Sequence, residues 1–408
     1  MIPRIGLEIV LASALKKSVD SWMQPKILSR RDLFRGSVAM AAYALASRPL
    51  SVFGLQAELG EQVVPFLDLQ PVGKMLYWQK LTSWITPIED LYEVKHYDYP
   101  KVDLTARDWK IDFTGYLKKP RAVSLSELKS RRKKTITATL ECGGNGAGTG
   151  FMGAIGNVRW TGTPLGPLLR ELGLVNRSKE VVFYGSDDKV EKIRDKDYPQ
   201  NFARSLPIDH ALQDHILLAW EMNGEPLNQM HGAPLRLVVP GWFGIAWVKW
   251  LKRVDVLDRR FMGKWMAREY VTIRGEELEN GWTNWRETSV CSIDVKSIVA
   301  RAVKRADGSF RISGAAWSDG TPLSKVEIKI DDGAWETVQL LRKPAGERYT
   351  WTLWQHDWPK PSAGEHTLVS RACDADGRVQ PGPEDPAIKN KRTYWEANQQ
   401  WPRRIRVL

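Results

Sequence analysis

Residues 135–148 read Thr135-Ile-Thr-Ala-Thr-Leu-Glu-Cys142-Gly-Gly-Asn145-Gly-Ala-Gly148, an alternating run that ends in a cysteine and a glycine-rich loop. Alternating threonine and apolar residues predict a half-buried β-strand, because β-branched side chains pack well on a pleated surface. Four of the six residues after Cys142 are glycine, and glycine lets another molecule approach the main chain closely. The stretch predicts a thiol at a strand end, either presented to a ligand or buried beside an ordinary turn.

The bulk composition indicates a globular protein with two domains. The chain has 408 residues, of which 43% are hydrophobic and 26% charged, and this length allows two cores. The formal net charge is +12, and residues 1–57 hold eight Lys/Arg and three Asp/Glu. The remainder is still basic, so it could attract an anionic substrate or an acidic partner. No Lys/Arg run is interleaved with aromatic residues, so we expect no nucleic-acid partner.

The cysteine count also limits the interpretation. Three cysteines, Cys142, Cys291 and Cys373, cannot all pair, and none lies at metal-site spacing from another. An odd count in an exported protein suggests that one thiol is kept for another purpose. We expect Cys291 and Cys373 to be small buried residues, with a disulfide between them as the alternative.

The N-terminal segment resembles an export signal. Ser29-Arg30-Arg31-Asp32-Leu33-Phe34-Arg35 precedes a short apolar run over residues 37–47. Twin arginines before such a run are typical of a twin-arginine (Tat) signal, and the alternative is an amphipathic surface helix. We therefore expect residues 1–57 to be a Tat-type signal region and the protein to be periplasmic. Met23 is a second candidate start, because residues 1–28 are long for such a signal. The apolar run is too short to span a bilayer, and we expect no transmembrane segment elsewhere.

Helix and strand signals interleave between residues 58 and 287. Ser124 and Glu127 form a capping box that predicts the start of a short helix. Thr163 as N-cap and Pro164 at the first position predict another helix, which Gly173 should end. Residues 58–287 are therefore predicted to form an α+β domain with a mixed sheet.

The pattern changes to short strands in residues 288–408. The predicted strands cover residues 310–317, 325–330, 335–340, 349–354 and 366–372. Aspartate- and glycine-containing turns separate several of these strands. Strands at this spacing predict an all-β sandwich as the second domain.

Two stretches carry a resemblance to a known family. Glu141-Cys142-Gly143-Gly144-Asn145-Gly146 resembles the Cys-Ala-Gly-Asn motif of the sulfite oxidase family of molybdenum enzymes. His231-Gly-Ala-Pro-Leu-Arg236-Leu-Val-Val-Pro240-Gly-Trp-Phe-Gly244-Ile-Ala-Trp247-Val-Lys249 matches that family almost residue for residue. The resemblance extends, with gaps, from about Leu67 to the C-terminus. It implies a mixed-sheet molybdopterin domain followed by an immunoglobulin-like dimerisation domain, and hence a homodimer.

The resemblance also implies which residues hold a molybdenum–molybdopterin cofactor. Cys142 would be the only protein ligand to molybdenum, for which a soft thiolate is suited. The implied cofactor-binding residues are His96, Asp187, His231, Arg236, Trp247, Val248 and Lys249, with Trp247 and Val248 acting through their backbones. An arginine can fork onto a phosphate, while a lysine offers a point charge. A lone histidine, or an arginine in an apolar strand, also has a purely structural interpretation, and the shared order and spacing favours the cofactor.

The substrate side shows where this chain departs from the family. The resemblance assigns catalytic roles to Tyr270, Trp160 and Arg392 beside Cys142. Two family arginines are replaced here, by Ala147 after the cysteine and by Val94 before His96. A doubly charged oxyanion is costly to desolvate without paired cations. We therefore expect weaker sulfite oxidation than in arginine-complete relatives.

The function implied is a molybdenum-dependent oxidoreductase that transfers an oxygen atom to sulfite or a related sulfur compound. The sequence has no Cys-x-x-Cys-His haem-attachment motif, so we expect a separate acceptor such as a c-type cytochrome. Two enzyme alternatives stay open: a sulfur dehydrogenase subunit acting on protein-bound sulfur, and a sulfoxide reductase. A glycan-binding, tryptophan-rich sandwich with a degenerate first domain is the non-enzyme alternative.

Overall fold

A computed structural model of the chain describes residues 60–68, 73–101, 109–148 and 151–408. The predicted signal region, residues 1–57, lies outside the described residues. The described residues all belong to one compact unit that spans Val52–Leu408. Within them, no helix is both long enough and apolar enough to cross a membrane.

The described part of the chain is mostly strand. The first eleven strands are β1 (Gln62–Val64), β2 (Lys110–Gly115), β3 (Arg121–Ser124), β4 (Lys134–Glu141), β5 (Ile155–Pro164), β6 (Glu180–Ile193), β7 (Lys196–Pro207), β8 (Leu217–Met222), β9 (Glu225–Pro226), β10 (Arg236–Val238) and β11 (Leu251–Leu257). The others are β12 (Val271–Glu277), β13 (Thr283–Ser289), β14 (Lys296–Lys304), β15 (Phe310–Trp317), β16 (Leu323–Ile330), β17 (Glu336–Thr337), β18 (Gln339–Leu340), β19 (Thr352–Trp358), β20 (Gly364–Asp374) and β21 (Arg403–Val407). The α-helices are α1 (Leu125–Ser130), α2 (Leu165–Leu172), α3 (Ile208–Ala211), α4 (Lys264–Ala267) and α5 (Pro386–Lys389), and 3-10 turns cover Trp78–Lys80, Ile88–Asp90 and Gly244–Ala246.

Two sheets form the first domain. One has the antiparallel order β10-β8-β5-β4, with β9 added to β8, so that β4 is an edge strand. The other has the order β3-β2-β11-β6-β7, in which β11 is parallel to β2 and antiparallel to β6. The second sheet is therefore mixed, and the prediction of an α+β domain with a mixed sheet is confirmed. Strands β12 and β13 form a separate hairpin.

Local signals explain where the helices begin and end. The Ser124 side chain accepts a hydrogen bond from the Glu127 backbone N–H at 3.1 Å, as the capping box predicts. Helix α2 begins one residue later than predicted, with Pro164 as its N-cap, because β5 continues through Pro164. Gly173 ends that helix with a φ of 76°, a conformation that favours glycine.

The second domain is a sandwich of two sheets. Their strand orders are β1-β14-β15-β19-β18 and β17-β16-β20-β21, and strand β15 covers the predicted residues 310–317. The all-β prediction is confirmed, although β14 and β21 were not predicted. Strand β1 pairs with β14 in this sandwich, whereas the sequence analysis assigned residues after 58 to the first domain. A three-residue strand has no detectable period of its own, so only the tertiary pairing identifies its sheet.

The two domains share a continuous core near Cys142. Trp317 and Trp351 of the sandwich pack in the same apolar cluster as Trp78 and Cys142. The Trp78 and Trp317 rings stack with centroids 6.0 Å apart. The sandwich therefore lies directly against the loop that carries the predicted metal ligand.

Candidate active site

A cleft with about 630 Å³ of empty space opens beside Cys142. Eight of the residues implicated by the resemblance line it: His96, Cys142, Asp187, His231, Arg236, Trp247, Lys249 and Tyr270. These residues come from several separate segments of the first domain. The two sheets of that domain and their loops bring the segments together. The structure thus gathers most of the candidate residues around one cavity.

Cys142 follows β4 and is 7% exposed. Its N–H donates to the Ala154 carbonyl at 2.9 Å, which fixes the strand end. Burial raises the pKa of the Cys142 thiol to about 11, and the Glu141 charge adds to this. A thiol in this environment stays protonated at neutral pH, and a bound metal ion would be needed to hold it as the thiolate.

Cys142, Cys291 and Cys373 are all free thiols. The alternative of a disulfide between Cys291 and Cys373 is therefore wrong.

One wall of the cleft contains two cations, buried Arg236 and half-buried Lys249, that lack carboxylate partners among the described residues. The Arg236 guanidinium donates to the His231 and Trp247 carbonyls at 2.9 and 3.1 Å. Lys249 Nζ donates to the Val94 and Met230 carbonyls at 3.1 and 2.9 Å. Neither cation forms an ion pair with a described residue, and buried unpaired charge is costly. This wall is suited to an anionic group that would complete it.

The pKa values along this wall reflect the missing counter-charge. Burial lowers the pKa of Arg236 to about 10. Burial, with the Arg236 charge second, lowers the pKa of Lys249 to about 7. The same two causes lower the pKa of His231 to about 3, so this imidazole is neutral.

Asp187 also lines the cleft, and its charge and that of Lys249 act on each other. The register of β6 against β7 shifts between Tyr184 and Asp188, and such a bulge re-aims a side chain. A Cβ at Gly185 would lie 2.2 Å from Asp187 Oδ1, so the glycine leaves room for the carboxyl group. Burial raises the pKa of Asp187 to about 7.

Several buried polar atoms around the cleft test whether a pterin cofactor fits. Asp187 Oδ1, His231 Nε2 and Arg236 Nε are buried and have no hydrogen-bond partner among the described residues. Buried polar groups are normally paired, so unpaired atoms in one cavity indicate a polar ligand. The two cations, together with the unpaired Arg236 Nε–H donor, are suited to bind a phosphate. The unpaired Asp187 carboxylate oxygen is suited to accept a hydrogen bond from an N–H of the pterin ring. The residues present fit the molybdopterin group.

His96, implicated in cofactor binding, and Tyr270, implicated in catalysis, meet in the cleft. His96 Nε2 and the Tyr270 hydroxyl are 2.6 Å apart. Burial lowers the pKa of His96 to about 4 and raises the pKa of Tyr270 well above its ordinary value. Both groups are therefore neutral at physiological pH, and one proton lies in the hydrogen bond between them.

Two of the implicated residues lie behind the cleft rather than in it. Trp160 is fully buried, and the Arg236 guanidinium lies 4.7 Å from its ring centroid. The Trp160 ring also meets Trp247 edge-on at 5.7 Å, so it supports the cofactor wall. The Val248 N–H donates to the Ala246 carbonyl, and its own carbonyl accepts from Leu237. Both Val248 backbone groups are thus used within the protein.

Arg392, to which the resemblance assigns a catalytic role, does not line the cleft. Its guanidinium is exposed, lies 4.6 Å from the Trp285 ring centroid and donates to the Lys389 carbonyl. The Arg392 N–H donates to the Ile273 carbonyl, which fixes this segment along β12.

Sequence reasoning missed Trp395, which lies only three residues beyond Arg392. Its ring stacks on Tyr270 with centroids 4.0 Å apart and an interplanar angle of 25°. The exposed Tyr394 ring packs against it in turn, with centroids 4.1 Å apart. The second domain therefore contributes an aromatic wall to the site.

It also missed Arg204, which is fully buried in β7. Its guanidinium donates to the Trp265 and Val290 carbonyls, one on each side of the segment that carries Tyr270. Burial lowers the pKa of Arg204 to about 10, so it remains charged. Strand β7 mixes polar and apolar residues, so its sequence carried no signal that Arg204 would be buried.

The replaced arginines lie in different places. Val94 lines the cleft, whereas Ala147 is exposed and lies outside it. Lys95 at the mouth pairs with Asp98 at 3.3 Å, and Arg268 is exposed. The buried positive charge close to Tyr270 is that of Arg204.

Two family models match the chain. Residues 96–265 match an oxidoreductase molybdopterin binding domain, and residues 284–399 match a Mo-co oxidoreductase dimerisation domain. The sulfite oxidase of Gallus gallus is 30% identical over 325 residues, which cover 73% of this chain and 68% of that protein. The chain belongs to the sulfite oxidase family. It is accordingly a molybdopterin oxidoreductase, and its cofactor is molybdenum–molybdopterin.

Other members of this sulfite oxidase family extend the comparison. The Arabidopsis thaliana sulfite oxidase is 27% identical over 340 residues, covering 74% of this chain and 83% of the plant protein. The mitochondrial sulfite oxidase of Drosophila melanogaster is 29% identical over 350 residues, and the match spans 78% of this chain but 58% of the fly protein. The solved sulfane dehydrogenase SoxCD from Paracoccus pantotrophus superposes with a TM-score of 0.68 and 25% identity, covering 89% of this chain and 95% of that one.

Proposed function

We propose that this sulfite oxidase family member oxidises a small sulfur compound, with sulfite or a related oxyanion as the first candidate. The observation that carries the proposal is the cleft itself, which is lined by a buried thiol and by two cations, buried Arg236 and half-buried Lys249, that form no ion pair with a described residue. Cys142 would ligate molybdenum, while Arg236, Lys249, His231 and Asp187 would hold the pterin. When bound, the cofactor supplies oxygen-atom transfer and takes up two electrons.

The residues at the substrate side would orient the substrate and hold a proton. The Tyr270 hydroxyl donates to neutral His96, or turns to donate to a substrate oxygen. Trp395 stacks on Tyr270 and keeps water from one face of it. Arg204 lies behind this pair and adds a positive potential, which favours an anion in a water-poor site.

Steady-state kinetics with sulfite and an artificial acceptor test this substrate. Arg204→Met should raise KM for sulfite several-fold, with a smaller change in kcat, because it removes a buried positive charge that acts on the anion through space rather than by a hydrogen bond. Ala147→Arg is the matched comparison and should change KM little, because residue 147 is exposed and outside the cleft. A larger effect of Ala147→Arg than of Arg204→Met would show that the anion binds elsewhere.

A sulfur dehydrogenase acting on protein-bound sulfur is the second candidate. The likeness to sulfane dehydrogenase SoxCD, over 89% of this chain, favours it. Its expected signature is negligible sulfite turnover in wild type, together with turnover of a persulfide-carrying protein. The sulfoxide reductase alternative predicts the reverse: reduction of a sulfoxide by a reduced dye. The glycan-binding alternative requires that the first domain has lost its cofactor site. The implicated cofactor-binding residues around the cleft argue against this.

The partners and location follow as proposals. A separate electron acceptor, such as a c-type cytochrome, is proposed because the sequence has no haem-attachment motif. A homodimer is proposed because residues 284–399 match a dimerisation domain. Light scattering at micromolar concentration should give twice the chain mass, and a monomer would contradict the proposal.

Periplasmic export is proposed from Arg30-Arg31. Unchanged export after replacement of both arginines by lysine would contradict this proposal.

A further inference from the structure

The residue before the thiol, Glu141, is fully buried and completely hydrogen-bonded. Its Oε1 accepts from Lys296 Nζ at 2.6 Å and from Asn145 Nδ2 at 3.0 Å. Its Oε2 accepts from Trp317 Nε1 at 2.8 Å. Lys296 lies on β14 and Trp317 on β15, so both belong to the sandwich. The dimerisation domain therefore supplies the charge and the indole that satisfy the carboxylate beneath Cys142.

The same domain covers the free edge of β4. An edge strand leaves backbone groups unpaired, and here residues 347–351 bond to them. The Thr139 N–H donates to the Tyr349 carbonyl at 2.8 Å, and the Trp351 N–H donates to Thr139 Oγ1 at 2.8 Å. Thr137 Oγ1 donates to Glu347 Oε1 at 2.9 Å. The second domain thus holds the middle of the strand that leads to the thiol, at Thr137 and Thr139.

The C-terminal segment holds the glycine loop from a third side. The Glu396 N–H donates to the Gly143 carbonyl at 2.8 Å. Gln399 Nε2 donates to the Gly146 carbonyl at 3.0 Å. Gly146 has a φ of 95°, and a Cβ there would lie 3.1 Å from the Ala397 carbonyl oxygen. Glycine at this position lets the loop and the segment lie in contact.

We propose that Lys296 and Trp317 are positioning residues for the molybdenum ligand, so that the dimerisation domain forms the floor of the metal site. They act through Glu141, which also holds the Asn145 side chain. Asn145 Oδ1 in turn accepts the Ala154 N–H at 3.0 Å and closes the loop that follows Cys142. Loss of Lys296 would leave a buried carboxylate without its counter-ion, and removing one member of such a pair is strongly destabilising locally. The proposal rests on the role proposed for Cys142.

The test compares Lys296→Met with the double variant Glu141→Gln/Lys296→Met in the full chain. Protein made without molybdopterin synthesis is treated with a thiol-alkylating reagent, and modification of each cysteine is followed by peptide mass spectrometry. Lys296→Met should speed alkylation of Cys142 by about tenfold, equivalent to 1.4 kcal/mol of loop opening. The loss of the Lys296 charge by itself raises the pKa of the Cys142 thiol and slows alkylation, so a faster rate reports loop opening. Cys291 and Cys373, measured in the same spectra, should not change. The double variant, which removes both charges, should return close to the wild-type rate.

Molybdenum content provides the second readout. With cofactor synthesis intact, Lys296→Met should carry less than half the molybdenum per chain of wild type, and the double variant should recover most of it. Trp317→Phe, which removes the indole donor and part of the ring but keeps an aromatic side chain, should shift both readouts in the same direction by a smaller factor. It serves as the test if Lys296→Met fails to fold.

Arg403→Met is the matched control. Arg403 is 5% exposed and pairs with Asp68 at 2.7 Å within the sandwich, away from the loop. It should lower stability without changing Cys142 alkylation. Equal effects of Arg403→Met and Lys296→Met, or unchanged alkylation in both Lys296→Met and Trp317→Phe, would overturn the proposal. Absence of molybdenum from wild type would instead overturn the proposed function. The alkylation rates would still show whether Lys296 and Trp317 hold the loop around Cys142, because they are measured on cofactor-free protein.

Discussion

Two buried charged regions flank Cys142, and they differ in completeness. Below the thiol, Glu141 and Lys296 form an ion pair in which the carboxylate uses both oxygens. Along the cleft, Arg236 and Lys249 bond only to neutral carbonyls. A complete network needs no ligand, whereas an incomplete one at a cavity indicates that a ligand completes it. Buried charge alone does not identify a binding site; the missing partner does.

The largest effect is expected at the thiol between the two regions. Cys142→Ser should abolish molybdenum-dependent activity to background, because a hydroxyl is a poor substitute for a soft thiolate ligand. Both flanking regions remain intact, so circular dichroism and the melting temperature should match those of the cofactor-free wild type. Activity retained at more than a few per cent of wild type would contradict the assignment.

Removing one unpaired cation should separate cofactor binding from folding. Arg236→Met should lower the cofactor content by more than tenfold, because a charge-assisted contact to a phosphate is lost. It should leave the cofactor-free chain as stable as wild type or more so, since an uncompensated charge leaves the interior.

Arg253→Met is its control. The Arg253 guanidinium lies 3.9 Å from the Tyr184 ring centroid, and Arg253 does not line the cleft. The control should keep its cofactor. A strongly destabilised Arg236→Met chain would mean that this region is structural, like the one below the thiol.

The smallest expected effect is a pH dependence of stability in the cofactor-free chain. Burial lowers the pKa of Lys249 to about 7, while an unfolded lysine titrates near 10.4. Between these values the unfolded chain binds more protons, so the free energy of unfolding rises with pH through this window. Wild type should therefore gain on the order of 1–3 kcal/mol between pH 7 and 10 relative to Lys249→Met. Urea unfolding at pH 6, 8 and 9.5 measures it, and parallel curves for the two proteins would contradict the lowered pKa.

The sequence predicted those parts of the molecule that depend on local pattern. Alternation over residues 135–140 identified β4, and short strands with aspartate–glycine turns identified the sandwich. The segment from His231 to Lys249 brought His231, Arg236 and Lys249 to one wall because their spacing is local.

Contacts between distant segments could not be read from the sequence. Glu141 and Lys296 are 155 positions apart, and neither has a local signal for the other. Arg204 lies in a strand that mixes polar and apolar residues, a pattern that does not predict its contact with the segment around Tyr270. Trp395 was missed, and Arg392 misplaced, because the chain between residues 374 and 403 has little regular structure to anchor an alignment.

The molybdenum-to-chain ratio of purified wild-type protein, expressed with cofactor synthesis intact, tests the central claim most directly. The cleft, its unpaired cations and Cys142 predict about one molybdenum per chain, released together with the pterin on denaturation. A folded protein that contains no molybdenum under these conditions would contradict the account.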